Sequence, residues 1–229
     1  MSTTITTLTL SEIGKLPAHA RRCVFWETDP SVERSPAVFD DPAFEKEAWL
    51  SKVMLEWGSC AQVSRNEYGA TGAALYAPPS AVPRSAGFPT SPVSPDAVLL
   101  TSVVVEGCAS GLGNPDYDGV AHQLVQAVAK DLIRRGVRAL EAFGIKADPA
   151  DYPTGPSATA ALTCTPHQCM IPASFLEEAG FKTVAAHHEY PRLRLELDSD
   201  HEWKVDVEYA LEQLLASASL TTTGSFRIP

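Results

Sequence analysis

The sequence predicts a mixed α/β fold in a single domain, because strand patterns and helix patterns alternate along its 229 residues. The strongest strand pattern covers residues 98–106 (VLLTSVVVE), which are β-branched and apolar on both faces, as in a central buried strand. The strongest helix pattern follows at 120–136, where apolar residues recur at every fourth position. Apolar residues make up 45% of the chain, which is enough for a sizeable core.

The first third of the chain combines short apolar runs with one clear helix. Residues 4–10 alternate Thr with Ile and Leu, and residues 21–27 (RRCVFWE) form a strand-like apolar run between charges. Residues 42–58 carry apolar side chains three and four positions apart and end in a glycine, which indicates a helix. Residues 60–77 hold two apolar segments around RNEYGATG, which is typical of a β-hairpin.

Residues 78–97 hold six prolines and no clear strand or helix pattern. A loop of this length inside a compact domain is usually functional or mobile. Two interpretations follow from the sequence: a proline-stiffened connector between strands, or a lid that covers the substrate.

The second half continues the alternation. The helix at 120–136 ends in two arginines and Gly136, which suit its negative end and its termination. We then expect a strand at 138–143, a proline-rich loop at 144–163, a short helix at 173–180, strands at 181–186 and 192–197, and a terminal helix with Trp203, Val207, Ala210, Leu211 and Leu214 on one face. The predicted domain covers residues 1–217, and residues 218–229 are a flexible tail.

Composition excludes several classes of protein. The net charge of −10 argues against a general nucleic-acid binder, which needs a basic surface to neutralise phosphates. The N-terminus lacks a signal-peptide pattern, and no apolar run approaches the roughly 18 residues of a membrane span. The cysteines are odd in number and scattered, unlike a disulfide framework, at positions 23, 60, 108, 164 and 169. We therefore expect a reduced, cytoplasmic protein with no membrane contact.

A family resemblance covers most of the chain, from about residue 4 to 217. The order of long apolar strand, glycine turn, amphipathic helix, strand and short helix ending in EEAGFKTV resembles the GNAT (Gcn5-related N-acetyltransferase) superfamily. The segments RRCVFWE, LYAPP, AVAKDLIRRGVRALEAFG and YPRLRLEL look like an actinobacterial branch of it. The resemblance implies a central mixed, mostly antiparallel sheet with one parallel, splayed strand pair, flanked by helices. It also implies an acyltransferase that forms amides.

In the family, a six-residue turn before the central helix binds the pyrophosphate of coenzyme A through free N–H groups. Its first residue is Arg or Gln, and its fourth and sixth are Gly or Ala. DYDGVA (116–121) fits at Gly119 and Ala121 but has Asp116 first, while CASGLG (108–113) lies further from the helix pattern. Asp118 could instead be an ordinary N-cap. The predicted contacts are Asp118, Gly119, Val120, Ala121 and His122, with weakened coenzyme A binding.

The resemblance also assigns the thioester arm to backbone groups of Val103, Val104 and Val105. The family's usual Asn and Tyr positions, counted back from the Gly-Phe pair, hold Cys169 and Leu176, so the usual proton donor is missing.

Five residues are candidates for catalysis. Glu106 ends the central strand and resembles the family's carboxylate base, although a solvated glutamate is the simpler alternative. Glu141 is the second candidate base, with a surface residue as its alternative. Tyr190 and His187, in a turn that also holds His188, are candidate acids. Cys169 is a candidate nucleophile or a packed cysteine, and CTPHQC (164–169) lacks the fourth ligand of a zinc site, so no metal is predicted.

The expected function is N-acylation of a small-molecule amine by an acyl-CoA or acyl-phosphopantetheine co-substrate, with no tightly bound cofactor. A carrier protein in specialised-metabolite biosynthesis is one donor, and plain acetyl-CoA is the alternative. An acidic carrier could dock on Lys130, Arg134, Arg135 and Arg138, which could equally be solubility charges. The other alternative is a non-catalytic GNAT-fold binding protein. A monomer or a homodimer is expected.

Overall fold

The computed structural model describes residues 3–29, 41–106, 115–146 and 166–197, with the side chains of 115–118 and 167 left out. Its strands are β1 (Thr4–Thr7), β2 (Ala61–Asn66), β3 (Gly69–Ala77), β4 (Ala97–Val105), β5 (Ala139–Ile145), β6 (Ile171–Pro172), β7 (Lys182–Ala185) and β8 (Arg192–Glu196). Its helices are α1 (Ala18–Arg22), α2 (Pro42–Glu56), α3 (Pro115–Arg134), α4 (Pro166–Cys169) and α5 (Ala173–Glu178). Short 3-10 helices cover Leu10–Lys15, Pro79–Ala81 and Pro83–Gly87. The predicted terminal helix and tail lie outside the described residues.

The strands form one sheet in the order β1-β2-β3-β4-β5-β8-β7, with β6 on the edge of β5. Neighbours along this order are antiparallel except β4 and β5, which are parallel. These two strands pair only from Ala97 with Ala139 to Leu99 with Glu141. Beyond that point they separate, and β6 pairs with β5 at Gly144 and Ile145. The predicted fold class, a mostly antiparallel sheet with one parallel pair and flanking helices, is confirmed.

Helix α3 connects β4 to β5 and packs on one face of the sheet against β2, β3 and β4. Its buried side includes Leu124, Val128 and Leu132, three of the four residues that produced the helix pattern in the sequence. Ala121 is buried as well, whereas Val120, the first residue of the pattern, is half-buried. The helix begins at Pro115, five residues before the predicted start at Val120. Proline suits the first helical position because it needs no N–H partner there and its φ is already helical.

The opposite face carries an apolar core that includes the first helices and an aromatic stack. The apolar run 21–27 is not a strand: α1 ends at Arg22, and the following turn buries Phe25 and Trp26. Trp26 stacks on Phe88 and Phe143 with ring centroids 5.4 and 6.2 Å away. The run is therefore apolar because its side chains pack against this face of the sheet.

The proline-rich segment 78–97 packs closely instead of standing away from the domain. Val82 is fully buried, and the Phe88 ring lies 4.6 Å from that of Phe143 on β5. Thr90 is held on both sides: its hydroxyl donates to the Tyr190 carbonyl at 2.9 Å, and its carbonyl accepts from Arg192 at 2.8 Å. The segment therefore covers β5 and β8, and a substrate-gating role stays a prediction.

Helix α2 confirms the predicted helix at 42–58, although it ends at Glu56. The Asp41 side chain caps it by accepting from two backbone N–H groups. Gly58 and Gly136, with φ of 105° and 73°, follow α2 and α3 in a conformation that side chains disfavour. Among the described residues, no helix has the length and apolar character to cross a membrane.

Candidate active site

Beyond Leu99, β4 and β5 no longer pair, and the space between residues 100–105 and 142–145 is here called the β4–β5 cleft; β6 enters it beside Gly144 and Ile145. On its other edge β4 pairs with β3, where Val103, Val104 and Val105 lie opposite Ala74, Ala73 and Gly72. On the cleft side, no described strand pairs with β4 beyond Leu99. Backbone polar groups on such an edge need water or a ligand as partner. The three predicted arm-binding valines thus lie on the open segment.

The helix start changes the argument about the anion-binding turn. Because α3 begins at Pro115, DYDGVA lies within its first turns and does not precede it. Asp118 is therefore the fourth helical residue, so its interpretation as an N-cap is wrong. CASGLG (108–113) ends two positions before Pro115, so the objection that it lies too far from the helix is also wrong. Residues 107–114 themselves lie outside the described part of the chain.

The other predicted contacts on α3 divide between core and surface. Ala121 is buried against the sheet, and Gly119 is exposed with open space where a Cβ would stand. Val120 and His122 are half-buried. The His122 ring packs on the Phe175 ring of α5 with centroids 4.7 Å apart. Gly119 is exposed and has no side chain, but as the fifth helical residue its N–H has a partner within the helix, so its open space alone does not make an anion site.

Glu106 follows β4 at the mouth of the β4–β5 cleft. Its backbone N–H donates to the Thr71 carbonyl at 2.7 Å, which continues the pairing with β3. Its exposed carboxylate accepts from the backbone N–H of His19 at 3.3 Å. A carboxylate with one long hydrogen bond retains lone pairs for a proton or an attacking amine. The position fits both the predicted base and a solvated strand-end residue.

Glu141 lies at the closed end of the cleft and is fully buried, so the surface alternative is wrong. One carboxylate oxygen pairs with Arg192 and accepts from the Ser94 N–H at 3.2 Å, and the other accepts from Arg194 at 3.2 Å. Protonation would break these ion pairs inside the protein. This geometry speaks against the predicted role as a base and makes Glu141 a structural clamp. Both arginines reach it because they alternate along β8 and so share a face.

The turn with the candidate acids lies at the carboxyl end of β5, where Lys146 N–H donates to the Glu189 carbonyl at 2.8 Å. His187 Nδ1 accepts from the N–H groups of Glu189 and Tyr190 at 3.2 and 3.0 Å. The Glu189 carboxylate, as a hydrogen-bond partner, and partial burial raise the pKa of Tyr190 to about 12. The raised pKa keeps Tyr190 protonated at neutral pH but makes it a weaker proton donor than an ordinary tyrosine, and the contacts of His187 hold the turn together.

Cys169 is buried at the end of α4 and contacts two side chains, Cys23 and His19, that the sequence did not predict to lie nearby. Its sulfur lies 3.4 Å from that of Cys23 and 3.9 Å from His19 Nε2. Its carbonyl accepts from the Trp26 indole at 3.2 Å. Leu176, at the family's tyrosine position, is a buried leucine and has no hydroxyl to donate a proton. The only local signal was the four-residue spacing of His19 and Cys23, which places both on one side of a helix.

The four cations of the predicted carrier dock do not form one exposed basic surface. Arg135 lies 3.6 Å from the centre of the Trp57 ring and donates to the carbonyls of Ser59 and Trp57 at 2.8 and 3.0 Å. Its guanidinium is thus part of the fold. Lys130, Arg134 and Arg138 are exposed. Lys130 and Arg134 lie in the last turns of α3, which is about 30 Å long, and Arg138 follows its end, so all three lie far from the first turn of the helix.

A second concavity, which the sequence did not indicate, lies between the turn after α1 and α2. Lys46 pairs with Glu27 at 2.5 Å, and both side chains are almost fully buried. The second oxygen of Glu27 has no hydrogen-bond partner among the described residues. The surrounding pocket, of about 240 Å³, is lined by Val24, Glu27, Thr28, Glu45, Ala48, Trp49 and Lys52.

Three solved structures that the chain resembles at low sequence identity are described as acetyltransferases. A proposed GNAT acetyltransferase from Desulfovibrio desulfuricans is 16% identical, with 86% of this chain and 100% of that chain covered and a TM-score of 0.45. An N-acetyltransferase from Staphylococcus aureus Mu50 is 13% identical, over 86% and 100%, with a TM-score of 0.48. The PaiA N-acetyltransferase from Thermoplasma acidophilum, in complex with coenzyme A, is 10% identical, over 86% and 99%, with a TM-score of 0.45.

No family model matches the chain, and no curated protein matches it. The TM-scores above all lie below 0.5. The description of the fold therefore rests on the strand order and on the separated parallel pair.

Proposed function

We propose that the protein is an N-acyltransferase that forms an amide from a pantetheine thioester and the amine of a small molecule. The observation that supports it is the β4–β5 cleft, where β4 offers backbone groups without a strand partner beyond Leu99. A pantetheine arm carries amide groups, so it can pair with this edge as an added strand would. The sequence resemblance to GNAT enzymes supports the same use of Val103, Val104 and Val105.

The chemistry needs alignment and two proton transfers. The amine nitrogen attacks the thioester carbon, the C–S bond breaks, and the nitrogen loses a proton to Glu106, directly or through water. Backbone N–H groups of Val104 and Val105 are the proposed donors to the carbonyl oxygen as it gains charge. The departing thiolate takes a proton from Tyr190 or from solvent.

The donor class we propose is the thioester arm, which coenzyme A and an acyl carrier protein present in the same way. Asp116 and Asp118, in the first turns of α3, favour a donor without a pyrophosphate. The engaged Arg135 and the position of the other cations at the far end of α3 remove the support for the predicted carrier dock. The amine acceptor is open, and the biosynthetic role proposed from the sequence rests on the family resemblance alone.

Hydrogen–deuterium exchange on the whole chain tests the arm site directly. Acetyl-pantetheine should slow exchange of the β4 amides and leave β2 unchanged, because every residue of β2 already has a partner strand. The 3′-phospho-ADP part of coenzyme A lacks the arm and should not protect β4. Acetyl-CoA and an acetylated carrier protein, compared in parallel, distinguish the two donors.

Thiol release from the same donors, measured with a panel of primary amines, tests catalysis. Amine-dependent release together with β4 protection is the expected result. Protection without release would favour the non-catalytic binding protein. If neither pantetheine thioester protects β4 or releases thiol, the proposal fails.

A further inference from the structure

Three metal-ligating side chains from distant parts of the chain meet near the mouth of the β4–β5 cleft. Cys23 and Cys169 have their sulfurs 3.4 Å apart, and His19 Nε2 lies 3.9 Å from the Cys169 sulfur. All three ligand atoms lie within 4.8 Å of one another. We propose that His19, Cys23 and Cys169 bind a thiophilic divalent cation, zinc above all.

The distances suit such an ion. Zinc binds sulfur at about 2.3 Å and imidazole nitrogen at about 2.0–2.1 Å in tetrahedral geometry, so neighbouring ligand atoms stand about 3.5–3.8 Å apart. The two sulfurs, 3.4 Å apart, are slightly closer than two zinc-bound sulfurs, and the 3.9 Å between the Cys169 sulfur and His19 Nε2 slightly exceeds the spacing of a zinc-bound pair. Small side-chain rotations would complete the geometry.

The backbone around the three ligands is held in place. The Cys23 N–H donates to the His19 carbonyl at 2.8 Å, which keeps both residues on one helical turn. The Trp26 indole holds the Cys169 carbonyl at 3.2 Å. Both cysteines are buried, whereas His19 is only half-buried and leaves a path to solvent. Among the described residues, two thiols and one imidazole supply three of the four ligands of a tetrahedral zinc ion.

Charge balance also favours a cation here over a disulfide. Each thiol loses its proton to solvent on binding, and two thiolates neutralise one divalent ion, so the buried centre carries no net charge. A disulfide between Cys23 and Cys169 would need an oxidant, whereas binding of the ion needs none. The ion would join α1 to α4 across 146 residues of sequence. It would also fix the His19 backbone N–H that donates to Glu106.

The test uses the full chain, reduced and freed of metal, and does not depend on the proposed acyl transfer. Titration with Zn²⁺ against a chromophoric chelator should show one tight site per chain, and Co²⁺ should give thiolate charge-transfer absorption. Proton release measured in two buffers should approach two per ion. Zinc binding should weaken about 100-fold or more in each of the variants Cys23→Ala, Cys169→Ala and His19→Ala. Loss of a residue that only supports a ligand costs roughly 10- to 100-fold in metal affinity, so loss of a ligand itself should cost at least as much.

The chain offers a matched control in Cys60→Ala. Cys60 is buried in the core away from this cluster, and burial raises the pKa of its thiol to about 12, which makes it a poor ligand. This variant should keep the full affinity for zinc. His19→Ala, at a half-buried position, keeps the test valid if a cysteine variant does not fold.

Three results would overturn the proposal. The first is no stoichiometric zinc binding by the reduced native chain. The second is unchanged binding in the His19, Cys23 and Cys169 variants, which would place the ion elsewhere. The third is a native chain that takes up no metal and instead loses two thiols and two mass units on mild oxidation with hydrogen peroxide.

Discussion

The two ends of the β4–β5 pair are built in opposite ways. At the closed end, where the strands pair, Glu141 is completely buried and both of its oxygens have partners. At the open end, one edge of β4 has no described strand partner, Glu106 is exposed, and two thiols meet an imidazole. Both oxygens of Glu141 have protein partners and stabilise the fold, whereas the open edge of β4 and the exposed carboxylate of Glu106 can still accept a ligand. The closed end therefore stabilises the fold, and the open end is where a ligand would bind.

A second polar network reinforces the closed end from the other face of the sheet. The Tyr76 hydroxyl donates to Asp131 of α3 at 2.7 Å and accepts from the Gln62 amide at 3.2 Å. Burial, more than any other cause, raises the pKa of Tyr76 above its ordinary value. Arg135 pairs with the same aspartate at 3.3 Å. The end of α3 is thereby tied to the sheet near the paired strands.

The largest effect should come from breaking the closed end. Glu141→Gln leaves two largely buried arginines without their charge partner, which should lower the free energy of unfolding by about 3–5 kcal/mol. The control is Glu196→Gln, because Glu196 pairs with Arg194 but is 64% exposed, so the loss should stay below about 1 kcal/mol. Urea denaturation of the native protein and the two variants measures both losses in the free energy of unfolding. Equal losses would contradict the contrast between buried clamp and surface pair.

At the open end, Glu106→Gln should reduce activity without reducing stability. If Glu106 accepts the proton of the amine, kcat/KM should fall about 10²-fold or more. The thiol-release assay over a range of pH measures it, and Glu196→Gln again serves as the control that removes a carboxylate elsewhere. An unchanged rate and pH profile in the Glu106 variant would exclude it as the base.

A smaller effect is expected at the start of α3. A carboxylate about 5 Å from a diphosphate costs about 1 kcal/mol, or tenfold in affinity. Native coenzyme A binding should therefore be weak, in the high micromolar range or above. Asp116→Arg combined with Asp118→Gly should tighten it about tenfold or more in calorimetry and leave a carrier-bound donor unaffected. Low-micromolar binding of coenzyme A by the native chain would refute the inhibitory role of these aspartates.

The smallest effect concerns Tyr190, whose pKa of about 12 exceeds the ordinary value of 10. Because the pKa is raised in the folded state, the contribution of Tyr190 to the free energy of unfolding is fully present below about pH 10 and is lost as the pH rises towards 12. Glu189→Gln removes the main cause and should lower this pKa. NMR titration of labelled tyrosine side chains, with Tyr190→Phe to assign the signal, measures it. The idea fails if the signal titrates identically with and without the Glu189 carboxylate.

The sequence patterns predicted best where side chains contact the sheet. β4 and α2 follow their patterns closely, because burial on one or both faces selects their apolar residues. The start of α3 was missed because residues 115–119 precede the buried stripe, and a polar helical turn has no apolar period. The apolar run at 21–27 was wrongly predicted as a strand, because a turn that packs against the sheet is as apolar as a strand.

The family resemblance implied the arrangement of the sheet. The residue patterns predicted the mixed α/β class, the central strand, its crossover helix and Glu106 at the end of that strand. These follow from local spacing, which burial imposes on neighbouring residues. Only the tertiary structure decided that Glu141 is clamped by Arg192 and Arg194, and that Cys169 lies beside Cys23 and His19. Such contacts join residues about 50 to 150 positions apart, and one chain shows no local period that records them. Strand register and the packing of α1 over the cleft bring them together.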